Sequence, residues 1–167
     1  MHVFGIDFTS RPTRSKAITC ARCRLDRDAL VVEELLRLES LDAFSAFLAS
    51  PGPWIAGIDF PFGQPRRLIQ NLNWPAAWAE HVPRDAELAR EDFREVREDY
   101  KRDRPEGDRE HQRLVDRLTG AQSPSKLYGV PVALMFFEGA QRLLRSATSI
   151  VPVRPTADDR VVVEAYP

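Results

Sequence analysis

The hydrophobic pattern begins with short runs typical of β-strands. Residues 3–8, VFGIDF, predict a buried strand, and turn-forming residues follow Ser10. Residues 16–24 and 29–39 predict a second and a third strand, which are separated by a short polar turn. Three consecutive strands joined by short turns form an antiparallel meander, so the first part of the chain is expected to build part of a sheet.

A short helix and a fourth strand are predicted after the meander. Apolar residues recur at helical spacing after Ser40, the predicted N-cap, and Pro51-Gly52-Pro53 ends the helix. Residues 54–60, WIAGIDF, form a continuous apolar run, which is typical of a strand covered on both faces. A right-handed crossover would place this strand parallel to the first strand, at the centre of the sheet.

The rest of the chain is predominantly helical until the last strand. The pattern from Pro65 to about Leu118 is helical, and within it residues 75–118 form a charged insertion. Its run REDFREVREDYKRDR predicts a solvated helical face with i to i+4 charge pairs, or else an arm that embraces a substrate. Residues 132–145 predict a further helix and residues 161–167 a fifth strand. The predicted fold class is α/β, a five-stranded mixed sheet of order 3-2-1-4-5 with flanking helices.

The composition is that of a soluble globular protein. With 167 residues, 43% hydrophobic and 29% charged, the chain 1–167 is expected to form a single domain. The net charge of -1 neither supports nor excludes a nucleic-acid partner. No apolar run reaches membrane-spanning length and no secretory signal opens the chain, which predicts no membrane partner and a cytoplasmic location. Cys20 and Cys23 are expected to be free thiols.

A repeated tetrad carries the predicted chemistry. The sequence GIDF at residues 5–8 recurs at residues 57–60, which places Asp7 and Asp59 near the carboxyl ends of adjacent strands about 4.8 Å apart. Unpaired carboxylates at this spacing repel each other, and a divalent cation such as Mg²⁺ or Mn²⁺ would resolve the conflict. Both residues are therefore predicted metal ligands and catalytic residues, with Glu164 as a third. The alternatives are that each Asp caps the following loop or helix and that Glu164 is a paired surface residue.

The residues around the two aspartates are candidates for substrate binding. Gly5 and Gly57 precede them on the same face, and either leave room for a metal or phosphate or mark close packing of a helix. Thr9 and Ser10 either offer hydroxyls to a phosphate or shape the turn. Basic side chains flank the two strand ends, and they are Arg11, Arg14, Lys16, Arg66 and Arg67. These residues either hold phosphates or are ordinary surface charge.

With these motifs the chain resembles the predicted RNase H-like nucleases of domain-of-unknown-function family 429. The resemblance spans the whole chain and rests on GIDF at residues 5–8, an IDxPxG motif at residues 58–63, a charged helical middle and an E-x-Y-P motif that begins at Glu164. It implies an RNase H-like fold in which Asp7 and Asp59 bind divalent metal, with Glu164 as a third candidate ligand. Members of this kind are longer, with helices after this motif, so the chain is expected to be a fragment or a reduced member that lacks a late acidic ligand.

The resemblance implies a metal-dependent nuclease, and two other functions stay open. The sequence GIDFTS at residues 5–10 also looks like the first phosphate loop of sugar kinases and actin-like ATPases, which share this strand topology. Those proteins use two such domains and a glycine-rich adenosine motif, and this chain has neither. The third function is a non-catalytic nucleic-acid or protein interaction module on the same scaffold, because a fold does not fix a function.

Overall fold

The computed structural model describes residues 1–166, which form two compact units. Unit 1 combines residues 1–60 with residues 142–166 and contains the described strands. Unit 2 comprises residues 61–141 and is helical. The predicted insertion at residues 75–118 lies inside unit 2, which extends beyond it at both ends. The expectation of a single domain stays a prediction.

Unit 1 is built on a mixed sheet of six strands. They are β1 (His2–Asp7), β2 (Ile18–Asp26), β3 (Ala29–Leu38), β4 (Trp54–Ile58), β5 (Ser149–Val151) and β6 (Arg160–Glu164). The order across the sheet is β3-β2-β1-β4-β6-β5. The first three strands form the predicted antiparallel meander, and β4 is parallel to β1 as predicted. The α/β class and the order of the first four strands are therefore confirmed.

The sheet has one strand more than the sequence pattern predicts. The additional strand, β5, is only three residues long and pairs with β6 at the edge of the sheet. A segment this short shows no alternation that a sequence pattern can reveal. The strand predicted at residues 161–167 is β6, which pairs with β4 as expected but ends at Glu164. Pro167 lies outside the described residues.

One face of the sheet carries the hydrophobic core of unit 1. Buried side chains alternate along the two central strands, and they are Phe4, Ile6, Trp54, Ala56 and Ile58. Helix α1 (Leu41–Leu48) covers this face, with its Phe47 ring 5.1 Å from the ring of Phe4. The opposite face is less covered, because Ile55 and Gly57 are only half-buried. The expectation that the fourth strand is covered on both faces is thus correct for one face only.

Unit 2 takes its core from packing between helices. The helices that follow β4 are α2 (Arg66–Asn71), α3 (Trp78–Ala86), α4 (Arg90–Arg102), α5 (Leu114–Thr119) and α6 (Val132–Arg145). Helix α6 has the predicted bounds, and its residues 142–145 belong to unit 1. A cluster of buried apolar residues holds unit 2 together, with the Phe93 ring of α4 at 4.7 Å from the Phe137 ring of α6. None of the helices in residues 1–166 is long and apolar enough to cross a membrane.

The charged helix α4 buries one of its arginines. Arg97 is 1% exposed, and its Nη2 lies 3.0 Å from Oδ1 of Asp85 on α3. Its guanidinium also lies over the rings of Trp74 and Phe93, at 5.0 and 4.8 Å from their centroids. Burial raises the pKa of Asp85 to about 6, against the opposing attraction of Arg97. Arg97 therefore departs from the prediction of a solvated charged face, because its side chain lies in the interior.

Both cysteines are free, as expected from the sequence, and both are buried. Burial, with a smaller contribution from Cys23, raises the pKa of the Cys20 thiol to about 11. A thiol with so high a pKa is almost entirely protonated at neutral pH, so it is a poor nucleophile and a poor metal ligand.

We expect Arg97→Ala to lower the free energy of unfolding by about 3–5 kcal/mol, because it leaves the carboxylate of Asp85 buried without its partner. Urea denaturation followed by circular dichroism measures the change. Arg94→Ala, at an exposed position of the same helix, is the control and should stay within about 0.5 kcal/mol of the unmodified protein. Equal losses in the two variants would contradict a stabilising role for the buried pair.

Ser40 caps α1 as predicted, since its Oγ accepts a hydrogen bond from the backbone N of Ala43 at 3.0 Å. Ser40→Ala should cost about 1 kcal/mol of unfolding free energy, and Ser40→Asp should restore most of it. Thermal unfolding of the two variants measures the difference. If alanine and aspartate behaved alike at this position, the cap would not be contributing.

Candidate metal centre

The two GIDF tetrads lie side by side at the centre of the sheet. The parallel pairing of β1 with β4 aligns Ile6 with Ile58, and the backbone N of Asp59 donates to the carbonyl oxygen of Ile6 at 2.9 Å. One residue further along this register, Asp7 lies beside Asp59. Neighbouring strands are about 4.8 Å apart, so the two carboxyl groups are within reach of one cation.

Buried side chains flank the two aspartates. Phe8 is 3% exposed and Phe60 is 0% exposed, and their ring centroids are 4.7 Å apart. Phe8 also packs against Phe44 of α1, at 5.1 Å between centroids. Successive side chains of a strand point to opposite faces, so Asp7, at the end of β1, points away from the face of the buried Ile6. Asp59 continues the ladder one residue beyond β4 and likewise points away from the face of the buried Ile58.

The two carboxylates lack compensating positive charge. Asp7 is exposed and Asp59 is half-buried. Within residues 1–166 neither side chain forms an ion pair or a hydrogen bond, so the alternative in which each Asp caps a following loop is not observed. Partial burial, followed by the negative charge of Asp7, raises the pKa of Asp59. This is the direction expected for neighbouring acidic groups without a cation.

The two glycines of the tetrads have different surroundings. A Cβ atom added to Gly5 would meet nothing within 4 Å, so Gly5 borders open space. A Cβ atom added to Gly57 would lie 3.2 Å from the Cβ of Ala165, in the segment that follows β6. Gly5 therefore leaves room next to Asp7, whereas Gly57 permits close approach of a neighbouring chain segment rather than of a helix.

Glu164 does not join the acidic pair. The pairing of β4 with β6 aligns Glu164 with Ile58, whereas Asp59 follows one residue later. Glu164 therefore shares the face of Ile58. Asp59 continues the backbone ladder one residue beyond β4, so its side chain points to the opposite face. Among residues 1–166, no three His, Cys, Asp or Glu side chains form a group that could hold a metal ion. The structure thus brings together Asp7 and Asp59, and separates Glu164 from them.

The loop after β1 carries the other candidate residues of unit 1. Thr9 is half-buried, Ser10 is buried, and Arg11 and Lys16 are exposed. The loop is closed by two hydrogen bonds: the backbone N of Thr13 donates to the carbonyl of Lys16 at 3.0 Å, and the backbone N of Lys16 donates to Thr13 Oγ1 at 3.1 Å. Arg14, also exposed, accepts a bond at its carbonyl from Arg37, as part of the same turn. The exposed basic side chains of this loop remain available for an anionic partner.

The last two candidates, Arg66 and Arg67, belong to α2 in unit 2. They line a cavity of about 920 Å³ within that unit. The same cavity is lined by Arg113 and Arg117, which the sequence pattern did not single out. No local signal identifies them, because they lie far along the chain from α2 and join it only through tertiary packing.

Comparisons with known proteins gave no relative. No family model matches the chain, and searches of the curated proteins and of the solved structures found no match.

Proposed function

We propose that the chain is an RNase H-like, divalent-metal-dependent nuclease, similar to family 429, that hydrolyses phosphodiester bonds in nucleic acid. One observation carries the proposal: Asp7 and Asp59 lie side by side at the carboxyl ends of adjacent parallel strands, with no ion-pair partner within residues 1–166. Ligand sites of open α/β sheets favour this position. The order β3-β2-β1-β4 supports the RNase H-like assignment.

The chemistry of the acidic pair fits a hard cation. Carboxylate oxygens are preferred by Mg²⁺ and Mn²⁺ over softer metals, and a cation between Asp7 and Asp59 would offset their mutual repulsion. The open space next to Gly5 gives such an ion access from one side. When bound, the ion would supply an activated water molecule and stabilise the charge on the leaving oxygen. Glu164 is outside the proposed ligand set, because it points to the opposite face.

The substrate of such a site is an anionic chain, and unit 1 has basic residues for it. Arg11 and Lys16 are exposed on the loop that follows Asp7, and we assign them to contacts with backbone phosphates. Such contacts orient a nucleic acid without reading its sequence, and they weaken as salt is raised.

The nuclease proposal is tested by cleavage of a panel of DNA and RNA substrates in the presence of Mn²⁺. Asp7→Asn and Asp59→Asn should each reduce the rate by at least about hundredfold, because each removes a proposed metal ligand. Asp28→Asn, in the exposed turn between β2 and β3, is the matched control and should retain full activity. Unchanged cleavage in the first two variants would exclude the mechanism. Turnover of ATP with a small-molecule acceptor, without cleavage, would favour the kinase-like alternative.

Metal binding is tested separately by thermal unfolding. Mn²⁺ at about 100 times its dissociation constant should stabilise the unmodified protein by about 2.7 kcal/mol. Asp7→Asn and Asp59→Asn should lose this stabilisation. In a chelator, Asp7→Asn should unfold at a higher temperature than the unmodified protein, because one of two repelling charges has been removed. An equal response to Mn²⁺ in all three proteins would show that the ion binds elsewhere.

A further inference from the structure

The cavity of about 920 Å³ in unit 2 has a strongly basic lining. Four arginines contribute to it, and we call it the arginine pocket: Arg66, Arg67, Arg113 and Arg117. The first two arginines come from α2, the last comes from α5, and Arg113 immediately precedes α5. Every residue that lines the pocket lies within residues 61–141, so the pocket is a feature of unit 2 alone.

Two of the four guanidinium groups are already paired within the protein. Arg67 Nη2 lies 2.6 Å from Oδ1 of Asp108, and Arg113 Nη2 lies 2.6 Å from Oδ1 of Asp116. Asp108 is also bonded to Arg104, at 2.7 Å, which lowers its pKa and keeps it ionised. Both ion pairs neutralise charge, and the hydrogen bonds from Arg113 to Asp116 also orient the Arg113 side chain.

The other two guanidinium groups are uncompensated. Arg66 and Arg117 form no ion pair with any residue that the structure describes. The acidic side chain in the lining, Glu110, is engaged by Lys101 at 2.9 Å. Two positive charges therefore face the pocket without a carboxylate partner.

A buried amide in the wall lacks hydrogen-bond partners. Gln64 is 8% exposed, and neither its Oε1 nor its Nε2 finds a partner in the described part of the chain. It lines the arginine pocket and also an adjoining cavity of about 430 Å³. Buried amides are nearly always hydrogen-bonded in folded proteins, so Gln64 is a donor and acceptor that a ligand in the pocket would satisfy.

The wall of the pocket opposite α2 is held in place by hydrogen bonds. Nε2 of His111 lies 2.7 Å from the hydroxyl of Tyr100, and Ser123 Oγ donates to the carbonyl of His111 at 2.7 Å. The side-chain Nε2 of Gln112 donates to the carbonyl of Ala121 at 2.9 Å. The segment that precedes α5 is therefore fixed by tertiary contacts, which favours a preformed site.

We propose that the arginine pocket binds the phosphate monoester group of a small molecule of nucleotide size. A phosphate monoester carries close to two negative charges at neutral pH, which matches Arg66 and Arg117, and guanidinium groups bind phosphate oxygens in a bidentate manner. The volume lies in the range of pockets for ligands larger than a free phosphate ion. Leu114, 66% exposed in the lining, offers apolar surface to the rest of the ligand. The proposal does not depend on the metal centre or on nuclease activity.

Isothermal titration calorimetry at low salt tests the pocket with three probes: adenosine monophosphate, adenosine and inorganic phosphate. The monophosphate should bind more tightly than either fragment. Arg66→Gln and Arg117→Gln should each weaken its binding by about tenfold or more, because each removes a charge-assisted hydrogen bond. Arg94→Gln, which changes an exposed arginine of α4 outside the pocket, is the control and should bind as the unmodified protein does.

Two further measurements separate the pocket from general attraction between charges. Gln64→Leu leaves all charges unchanged and should weaken the binding of the monophosphate. It should not lower the unfolding temperature, because it removes a buried amide that lacks hydrogen-bond partners. Any binding of a single-stranded oligonucleotide without a terminal phosphate should not depend on Arg66 or Arg117. The proposal would be overturned if Arg94→Gln reduced monophosphate binding as much as Arg66→Gln, or if the oligonucleotide alone bound and the pocket variants abolished that binding.

Discussion

The in-register parallel pairing of β1 with β4 is the constraint on which unit 1 depends. It places the Phe8 and Phe60 rings together in the core, 4.7 Å apart, and leaves the two aspartates on the opposite face. A shift of one residue in either strand would bury a carboxylate and expose a ring, so hydrophobic burial fixes the register strongly. The hydrophobic burial of the two rings therefore also holds Asp7 and Asp59 next to each other, although their negative charges repel.

The two units place their charges in opposite ways. In unit 2, Arg97 and Asp85 are almost completely buried and compensate each other, with aromatic rings around the guanidinium. In unit 1, Asp7 and Asp59 are like charges near the surface, and residues 1–166 supply no cation for them. The Arg97–Asp85 pair, in which opposite charges compensate each other, contributes to the stability of the fold. An unbalanced pair of like charges at a position that favours ligands is explained better by an external ion.

Adjacent arginines of α2 show the same distinction at closer range. Arg67 is paired with Asp108, whereas Arg66, its neighbour in sequence, has no acidic partner in the described residues. The surroundings rather than the residue type therefore separate a structural arginine from a candidate binding arginine. Arg66, Arg117 and the buried amide of Gln64 line the same pocket. Unit 2 therefore contains a second candidate site at which an external ligand would compensate unpaired charge.

The sequence by itself determined the local elements: the first four strands, the Ser40 cap of α1, the bounds of α6 and the two GIDF tetrads. These follow from periodicity and turn chemistry, which act over a few residues. The short edge strand β5, the face on which Glu164 lies and the burial of Arg97 were decided by tertiary structure. Strand register and helix orientation depend on partners distant in the chain, and a one-residue difference in register reverses the direction of a side chain. The acidic pair was predictable because the same tetrad occurs in both strands. The separation of the pair from Glu164 and the assembly of the arginine pocket depend on contacts between distant residues and were not predictable from the sequence.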